Sequence, residues 1–218
     1  MNRKSMRALL ARYYEDPLVR LFDKLGFSPN GVTFLGLLII LIASVFVSQG
    51  HFILGSLLIL LGGALDLIDG GLARHKGQVS KFGALLDSVV DRFQEASVFF
   101  SLSIYYLFSN CNEYMPFSTK LFESFSNSIN TCDLGVLFAY TAFVASVMVS
   151  YLRARAEGLG IECKVGMMTR PERVIAVAVG IFVSHWFSLT IIVILALMTL
   201  LGFVTVIQRI IHSAKGLK

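Results

Sequence analysis

Charge-free apolar runs recur along the chain, separated by short polar connections. Val32–Ser48, Leu134–Leu152, Val174–Phe187 and Ser188–Ile207 contain no Asp, Glu, Lys or Arg, and Phe52–Leu65 contains none before a group of aspartates begins. Ala84–Phe108 is apolar apart from Asp87, Asp91, Arg92, Gln94 and Glu95. A polar dip at Ser184-His185-Trp186 divides what would otherwise be one over-long stretch. A membrane-spanning helix needs about 20 apolar residues, whereas a spanning strand shows period-two alternation in pieces of about 10. These runs are continuous. The pattern predicts an all-α integral membrane protein with six transmembrane helices.

Ahead of the first run, residues 1–27 alternate differently. Met6, Leu9, Leu10, Tyr13, Tyr14, Leu18, Leu21 and Leu25 recur at helical spacing among Arg3, Lys4, Arg7, Arg12, Arg20 and Lys24. That predicts an amphipathic interfacial helix on an anionic membrane surface, kinked at Pro17. Residues 28–212 form the expected six-helix membrane domain, and 213–218 a tail. No cleavable leader is expected, because no small-residue cleavage site follows the first apolar run.

Basic residues set the expected orientation. They crowd the N-terminal segment, the second connection (Arg74, Lys76, Lys81), the fourth (Arg153, Arg155, Lys164, Arg170, Arg173) and the tail (Arg209, Lys215, Lys218). The first and fifth connections have none, and the third has only Lys120. The positive-inside rule then places both termini on the cytoplasmic side of a prokaryotic-type cell membrane. The composition agrees: 56% of 218 residues are hydrophobic and 15% charged, against about 25% charged in a soluble domain. That excludes an ordinary soluble enzyme and a disordered chain. The net charge of +5 reflects orientation and anionic substrates, not nucleic acid. Cys111 and Cys132 bracket the third connection, where a disulfide and two separate thiols are both compatible with an exterior position. Cys163 is expected as a free thiol, and the cysteine spacings argue against structural zinc.

The informative acids lie in Ala64–Ala96. Asp66 and Asp69 are three apart at the end of the second run, and Asp87 and Asp91 four apart near the start of the third. Such pairs share a helix face, and a short connection predicts an antiparallel hairpin that brings the pairs together. Four carboxylates in a low-dielectric setting repel unless a cation neutralises them. Oxygen-only donors select Mg2+, Mn2+ or Ca2+, and a pair of such ions suits phosphoryl chemistry. Gly70 and Ala73 leave room beside the acids, Arg74 offers a fork for phosphate oxygens, and Gly83 allows close approach.

The pattern Asp66-x2-Asp69-Gly70-x2-Ala73-Arg74-x8-Gly83-x3-Asp87-x3-Asp91 resembles, without gap or substitution, the signature of the CDP-alcohol phosphatidyltransferase family. The resemblance implies transfer of a lipid phosphatidyl group from a CDP-linked donor to an alcohol, with release of CMP. It implies two Mg2+ ions per site, or Mn2+ in their place. Asp66, Asp69 and Asp87 are then ligands of one, and Asp66, Asp87 and Asp91 ligands of the other, with Asp91 also the general base. Gly70, Ala73, Arg74, Ser80 and Gly83 become the CDP-lipid wall. Asn30, Gly31, Val32 and Thr33 join it from a segment similar to the family's Thr-Pro-Asn-x-x-Thr, in which Ser28 replaces the first Thr. The family resemblance also implies a homodimer.

Arg153, Arg155, Arg170 and Arg173 supply more guanidinium than a neutral alcohol needs, which favours a small anionic acceptor bound through its phosphate. The stretch Ser150–Glu157 with Arg170-Pro171-Glu172-Arg173 resembles the phosphatidylinositol-phosphate synthase branch and its archaeal-lipid counterparts, implying inositol 1-phosphate. Glycerol 3-phosphate is the alternative acceptor. A cation transporter lined by acids is the alternative of a different class, and it predicts acids spread along a path across the bilayer.

Overall fold

The computed structural model describes residues 16–109, 130–163 and 165–217. Within them the chain forms seven helices: α1 (Asp16–Lys24), α2 (Pro29–Ser48), α3 (Phe52–His75), α4 (Lys81–Phe108), α5 (Thr131–Gly158), α6 (Arg170–Ser184) and α7 (Leu189–Gly216). Their ends follow local chemistry. Ser28 and Ser80 cap α2 and α4, each hydroxyl accepting from the N–H three residues on, at 3.1 Å from Gly31 and 2.9 Å from Gly83. Either a Ser or a Thr hydroxyl caps in this way, so the Ser28 departure from the family pattern leaves the helix start intact. At α6 the Thr169 N–H donates to the Glu172 carboxylate at 2.6 Å in a capping box, with Pro171 in the first turn. α3 stops where Gly77 takes φ +65° and Gln78 N–H closes on Ala73 O at 2.9 Å. The gap between α6 and α7 coincides with the polar dip.

Four helices, α2, α3, α5 and α7, are long and apolar enough to cross a bilayer. The other two large helices differ from the six-span expectation on that measure. α6 has 15 residues, about 22 Å at 1.5 Å per residue, short of a hydrocarbon layer of roughly 30 Å. α4 has the length, at 28 residues, but carries Asp87, Asp91, Arg92 and Glu95. Large apolar side chains such as Leu38, Leu41, Leu57, Phe100, Leu137, Ile175, Val193 and Leu200 lie exposed on the outer faces, as an integral membrane protein requires.

Six helices close into a ring. α2 packs on α3 and α4, α4 on α5, α5 on α7, α7 on α6, and α6 returns to α3. The core inside is built from Ile40, Ile59, Phe99, Leu102, Ile181 and Leu195 with their neighbours. The expected α3–α4 hairpin is corrected here: the two helices are joined by a short turn but hardly touch, because α2 packs against both. Small residues allow that approach. A Cβ added to Gly62 on α3 would lie 2.7 Å from the Ile40 side chain and 3.2 Å from the Gly36 carbonyl of α2.

α1 covers part of the expected interfacial segment; residues 1–15, including the Met6–Tyr14 stripe, lie outside the described residues. So does Cys111, and with it the question of a pairing to Cys132. Cys163 is a buried free thiol. Val19 of α1 packs into a small core with Val32, Leu65, Ile68 and Leu72. Lys76 ties the segment down, donating to Phe27 O at 2.8 Å and pairing with Asp23 at 3.1 Å. The Lys76 ammonium beside Asp23, helped by His75, holds that carboxyl below its usual range.

Replacing Gly62 with Val is expected to destabilise the α2–α3 crossing by roughly 1–3 kcal/mol, the usual cost of overpacking. A lowered melting temperature of the detergent-solubilised protein would register this; an unchanged one would mean Ile40 yields freely.

Candidate active site

The site forms at one end of the ring, where the N-termini of α2, α4 and α6 meet the C-terminal part of α3. Helix N-termini present unpaired N–H groups and a positive dipole end, so three of them together favour anions. Asp66 and Asp69 arrive from α3, and Asp87 and Asp91 from α4. Oxygens of Asp66, Asp69 and Asp87 lie within 4.8 Å of one another. Thr33 on α2 donates to Asp69 Oδ2 at 2.5 Å, fixing that carboxylate's orientation. Asp69 and Asp91 are buried.

Asp91 has a different partner. Arg170, in the first turn of α6, pairs with Asp66 Oδ2 through Nη1 and lies 2.7 Å from Asp91 Oδ1 through Nη2. The same Nη2 donates to Gln94 Oε1 at 2.7 Å. Its contact with Asp91 Oδ1 is close but poorly aligned, and that oxygen makes no hydrogen bond of its own. Arg92 approaches Asp91 from the other side at 3.6 Å. Arg170 bridges only two of the four carboxylates, and buried Asp66 Oδ1 also has no hydrogen-bond partner. Clustered oxygen donors with an unsatisfied buried oxygen fit a hard divalent cation such as Mg2+ or Mn2+.

A cleft of about 300 Å³ opens beside these carboxylates. Asp69 and Asp87 line it together with Asn30 and Thr33 of α2, Gly70, Ala73 and Arg74 of α3, and Ser80 and Gly83 at the start of α4. Seven of the nine expected donor-binding positions therefore share one concavity. Gly31 and Val32 do not line it. Gly31 is spent on the Ser28 cap, and Val32 is fully buried in the small core beneath α1. Gln78 and Val79 also line the cleft; nothing in their types or spacing signalled this, since the turn geometry puts them there. A side chain at Gly83 would crowd the cleft, its Cβ falling 3.1 Å from Ser80 Oγ and 3.8 Å from Asn30 Oδ1.

The four arginines expected around an acceptor phosphate do not gather at one point, although Arg170 and Arg173 line one cavity and Arg153 and Arg173 both lie near Arg209. Arg153 is exposed and pairs with Glu157 one turn on, at 2.9 Å. Arg155 is exposed too, and residues two apart on a helix point to different sides. Arg170 stands among the aspartates. Arg173 is buried, with Nε and Nη2 donating to Glu95 Oε1 at 3.1 and 2.8 Å. Gln94 and Glu95 were not expected as site residues, although a Glu one turn beyond Asp91 inside an apolar run was the visible signal.

Comparison with known proteins agrees with this geometry. A family model described as CDP-alcohol phosphatidyltransferase matches residues 27–216. The chain is 31% identical over 211 residues to an archaetidylinositol phosphate synthase of Methanothermobacter thermautotrophicus, covering 95% of this chain and 92% of that protein. It is 31% identical over 194 residues to a phosphatidylinositol phosphate synthase of Cutibacterium acnes, covering 84% of each. The crystal structure of Mycobacterium tuberculosis phosphatidylinositol phosphate synthase with CDP-DAG bound superposes with a TM-score of 0.75 at 26% identity, covering 92% of this chain and 93% of that one. The same mycobacterial protein has been crystallised with manganese and citrate.

Asp69→Asn is expected to weaken Mn2+ binding to the detergent-solubilised protein at least tenfold, about 1.4 kcal/mol. Titration followed by electron paramagnetic resonance measures it, and an unchanged affinity would remove Asp69 from the ligand set.

Proposed function

Because the chain belongs to the CDP-alcohol phosphatidyltransferase family, we propose that it moves a phosphatidyl, or archaeal diether phosphatidyl-like, group from a CDP-linked lipid to a hydroxyl of inositol 1-phosphate, releasing CMP. The observation that carries this reading is the continuity of the cleft with the carboxylate cluster. One wall of small residues and Arg74 can take the nucleotide and diphosphate, while the acids stand at its edge. The acids gather at one point, whereas an acid-lined cation transporter needs them along a path across the bilayer.

Asp66, Asp69, Asp87 and Asp91 would hold two Mg2+ ions, with Mn2+ able to replace them, and such ions neutralise diphosphate charge and make the β-phosphorus more electrophilic. Asn30, Thr33 and Gly83 shape the cleft for the donor, and Arg74 offers its fork to diphosphate oxygens. Asp91 accepts the proton of the acceptor hydroxyl as that oxygen bonds to the β-phosphorus. The bond from this phosphorus to the bridging oxygen breaks, and the electron pair leaves with CMP. Arg170, beside Asp91, is the arginine best placed for the acceptor's phosphate, with Arg153 and Arg155 at the periphery. The names of the relatives favour inositol phosphate as acceptor, and the relative crystallised with CDP-DAG favours a CDP-lipid donor.

In this reading α4 and α6 also span the bilayer, giving six crossings. Each lies between two strongly apolar helices of the ring, which supports its placement among them in the bilayer. Residues 1–27 lie on the cytoplasmic surface, both termini and the site face the cytoplasm, and two copies form a homodimer. The crowding of Lys and Arg in the N-terminal segment, the second and fourth connections and the tail supports that sidedness.

Purified protein with Mg2+ and CDP-diacylglycerol should release CMP with inositol 1-phosphate and not with free inositol or serine. Release with glycerol 3-phosphate alone would reassign the acceptor while leaving the donor chemistry standing. Asp91→Asn should reduce turnover by about 10²–10⁴, the range for a lost general base, with CDP-lipid binding retained. Full turnover in that variant would eliminate Asp91 as the base.

A further inference from the structure

A second cavity, of about 360 Å³, lies between α1 and the last turns of α3, and none of the four clustered aspartates lines it. Asp16, Val19 and Arg20 face it from α1, and Gly71, Arg74 and His75 from α3. Each trio has the spacing i, i+3, i+4, so each is one continuous helix face turned toward the other. Val19 and Gly71 are buried and make the floor. Val19 packs into the small core beneath α1, and Gly71 gives space because it has no side chain. Arg20, Arg74 and His75 stand exposed at the rim.

Two guanidiniums and an imidazole thus share this space with one carboxylate. Asp16 has a local reason to be there, since it stands in the first turn of α1, where the helix dipole stabilises an acid. It also precedes Arg20 by four residues, the favourable order for a helical ion pair. Among the described residues, however, neither Asp16 nor Arg20 forms an ion pair. The other acid of α1, Asp23, is engaged one turn further along, with Lys76 at 3.1 Å and His75 at 3.3 Å. Cationic groups turned toward one space from two helices raise one another's energy unless an anion lies between them. Planar guanidinium forks match the oxygens of a phosphate group, which has acceptors enough to be held from both sides at once. Arg74 also lines the donor cleft. Arg20 belongs to this cavity alone.

We propose that the cavity between α1 and α3 is a second phosphate-binding site, in which Arg20 from one helix and Arg74 and His75 from the other grip the phosphate of an anionic lipid headgroup or a free phosphate ion. The site is distinct from the donor cleft and does not depend on which acceptor the enzyme uses. A headgroup is the ligand if α1 lies on an anionic membrane surface, as read above; a free phosphate needs no such placement. A phosphate bound there ties α1 to α3 beside Val19, adding to the clamp that Asp23 makes with Lys76 and His75.

The test titrates the full-length protein, in an uncharged detergent with Mg2+, and follows its melting temperature. The probes are dioleoyl phosphatidic acid in mixed micelles, dioleoyl phosphatidylcholine in the same micelles, and inorganic phosphate. Phosphatidic acid or inorganic phosphate should raise the melting temperature saturably, and phosphatidylcholine should not. Response to phosphatidic acid alone identifies a lipid headgroup as the ligand; response to both identifies the phosphate group itself. Arg20→Gln should weaken whichever response is seen at least tenfold, and Arg20→Lys, which keeps the charge and loses the fork, several-fold. Lys24→Gln removes one positive charge from the same helix outside the cavity and should change nothing. CMP affinity should stay within twofold of wild type in all three variants. No saturable response to either phosphate probe, or equal responses in wild type and Arg20→Gln, overturns the proposal. So does an equal loss in Lys24→Gln, which would mean diffuse charge, or a parallel loss of CMP affinity in Arg20→Gln, which would make the cavity part of the donor cleft.

Discussion

Four aspartates crowded at one end of an apolar bundle repel one another, and much of the molecule's construction follows from how that repulsion is offset. Three helix N-termini point their positive ends at the cluster, Thr33 donates a hydroxyl to Asp69, and Arg170 bridges Asp66 and Asp91. Placing an arginine in the first turn of α6 runs against that helix's own dipole, which disfavours cations there. The carboxylates opposite make the position favourable. Local preference gives way to a tertiary partner, and the concession falls where the proposed chemistry needs a guanidinium.

α3 and α4 diverge. Their aspartates meet within 4.8 Å at one end, but the helices themselves stand apart and α2 packs against both. Gly36 and Gly62 permit the close crossing of α2 and α3 that delivers Thr33 to Asp69. The divergence leaves the cleft lined from three helices and from the turn at 76–80. Its floor is narrow at Gly83 and its wall thin at Gly70, so the turn that ends α3 and the Ser80 cap that begins α4 are part of the site's shape as well as of the fold.

Placement of α6 depends on more than its ion pairs. The segment leading to it is held by α7: Arg209 donates to Val165 O at 2.9 Å and also reaches Val149 O of α5, and Met167 N–H donates to Thr205 Oγ1 at 3.4 Å. His212 Nε2 lies 3.1 Å from Glu162 O. Arg209 is itself buried, so a basic residue assigned from sequence to the tail's positive charge serves as a backbone clamp. α6 is thus fixed at its approach by α7, in its first turns by ion pairs to α4, and along its length by packing on α3 and α7.

The sequence by itself determined the helical class, the apolar runs and their breaks, the four aspartates and most of the positions that line the cleft. These are legible because helical periodicity and a tight motif are local: Asp66 with Asp69, and Asp87 with Asp91, share faces whatever surrounds them. Only the tertiary structure decided which carboxylates meet, that α2 rather than a hairpin joins the two acidic helices, and that Val32 is core. It also divided the arginines. Charge along the chain shows how many guanidiniums are available, but their roles depend on partners up to about a hundred residues away, as with Arg170 and Asp66. Pairing across such separations is set by the three-dimensional ring, where burial makes an unpaired charge costly, and no spacing along the chain records it.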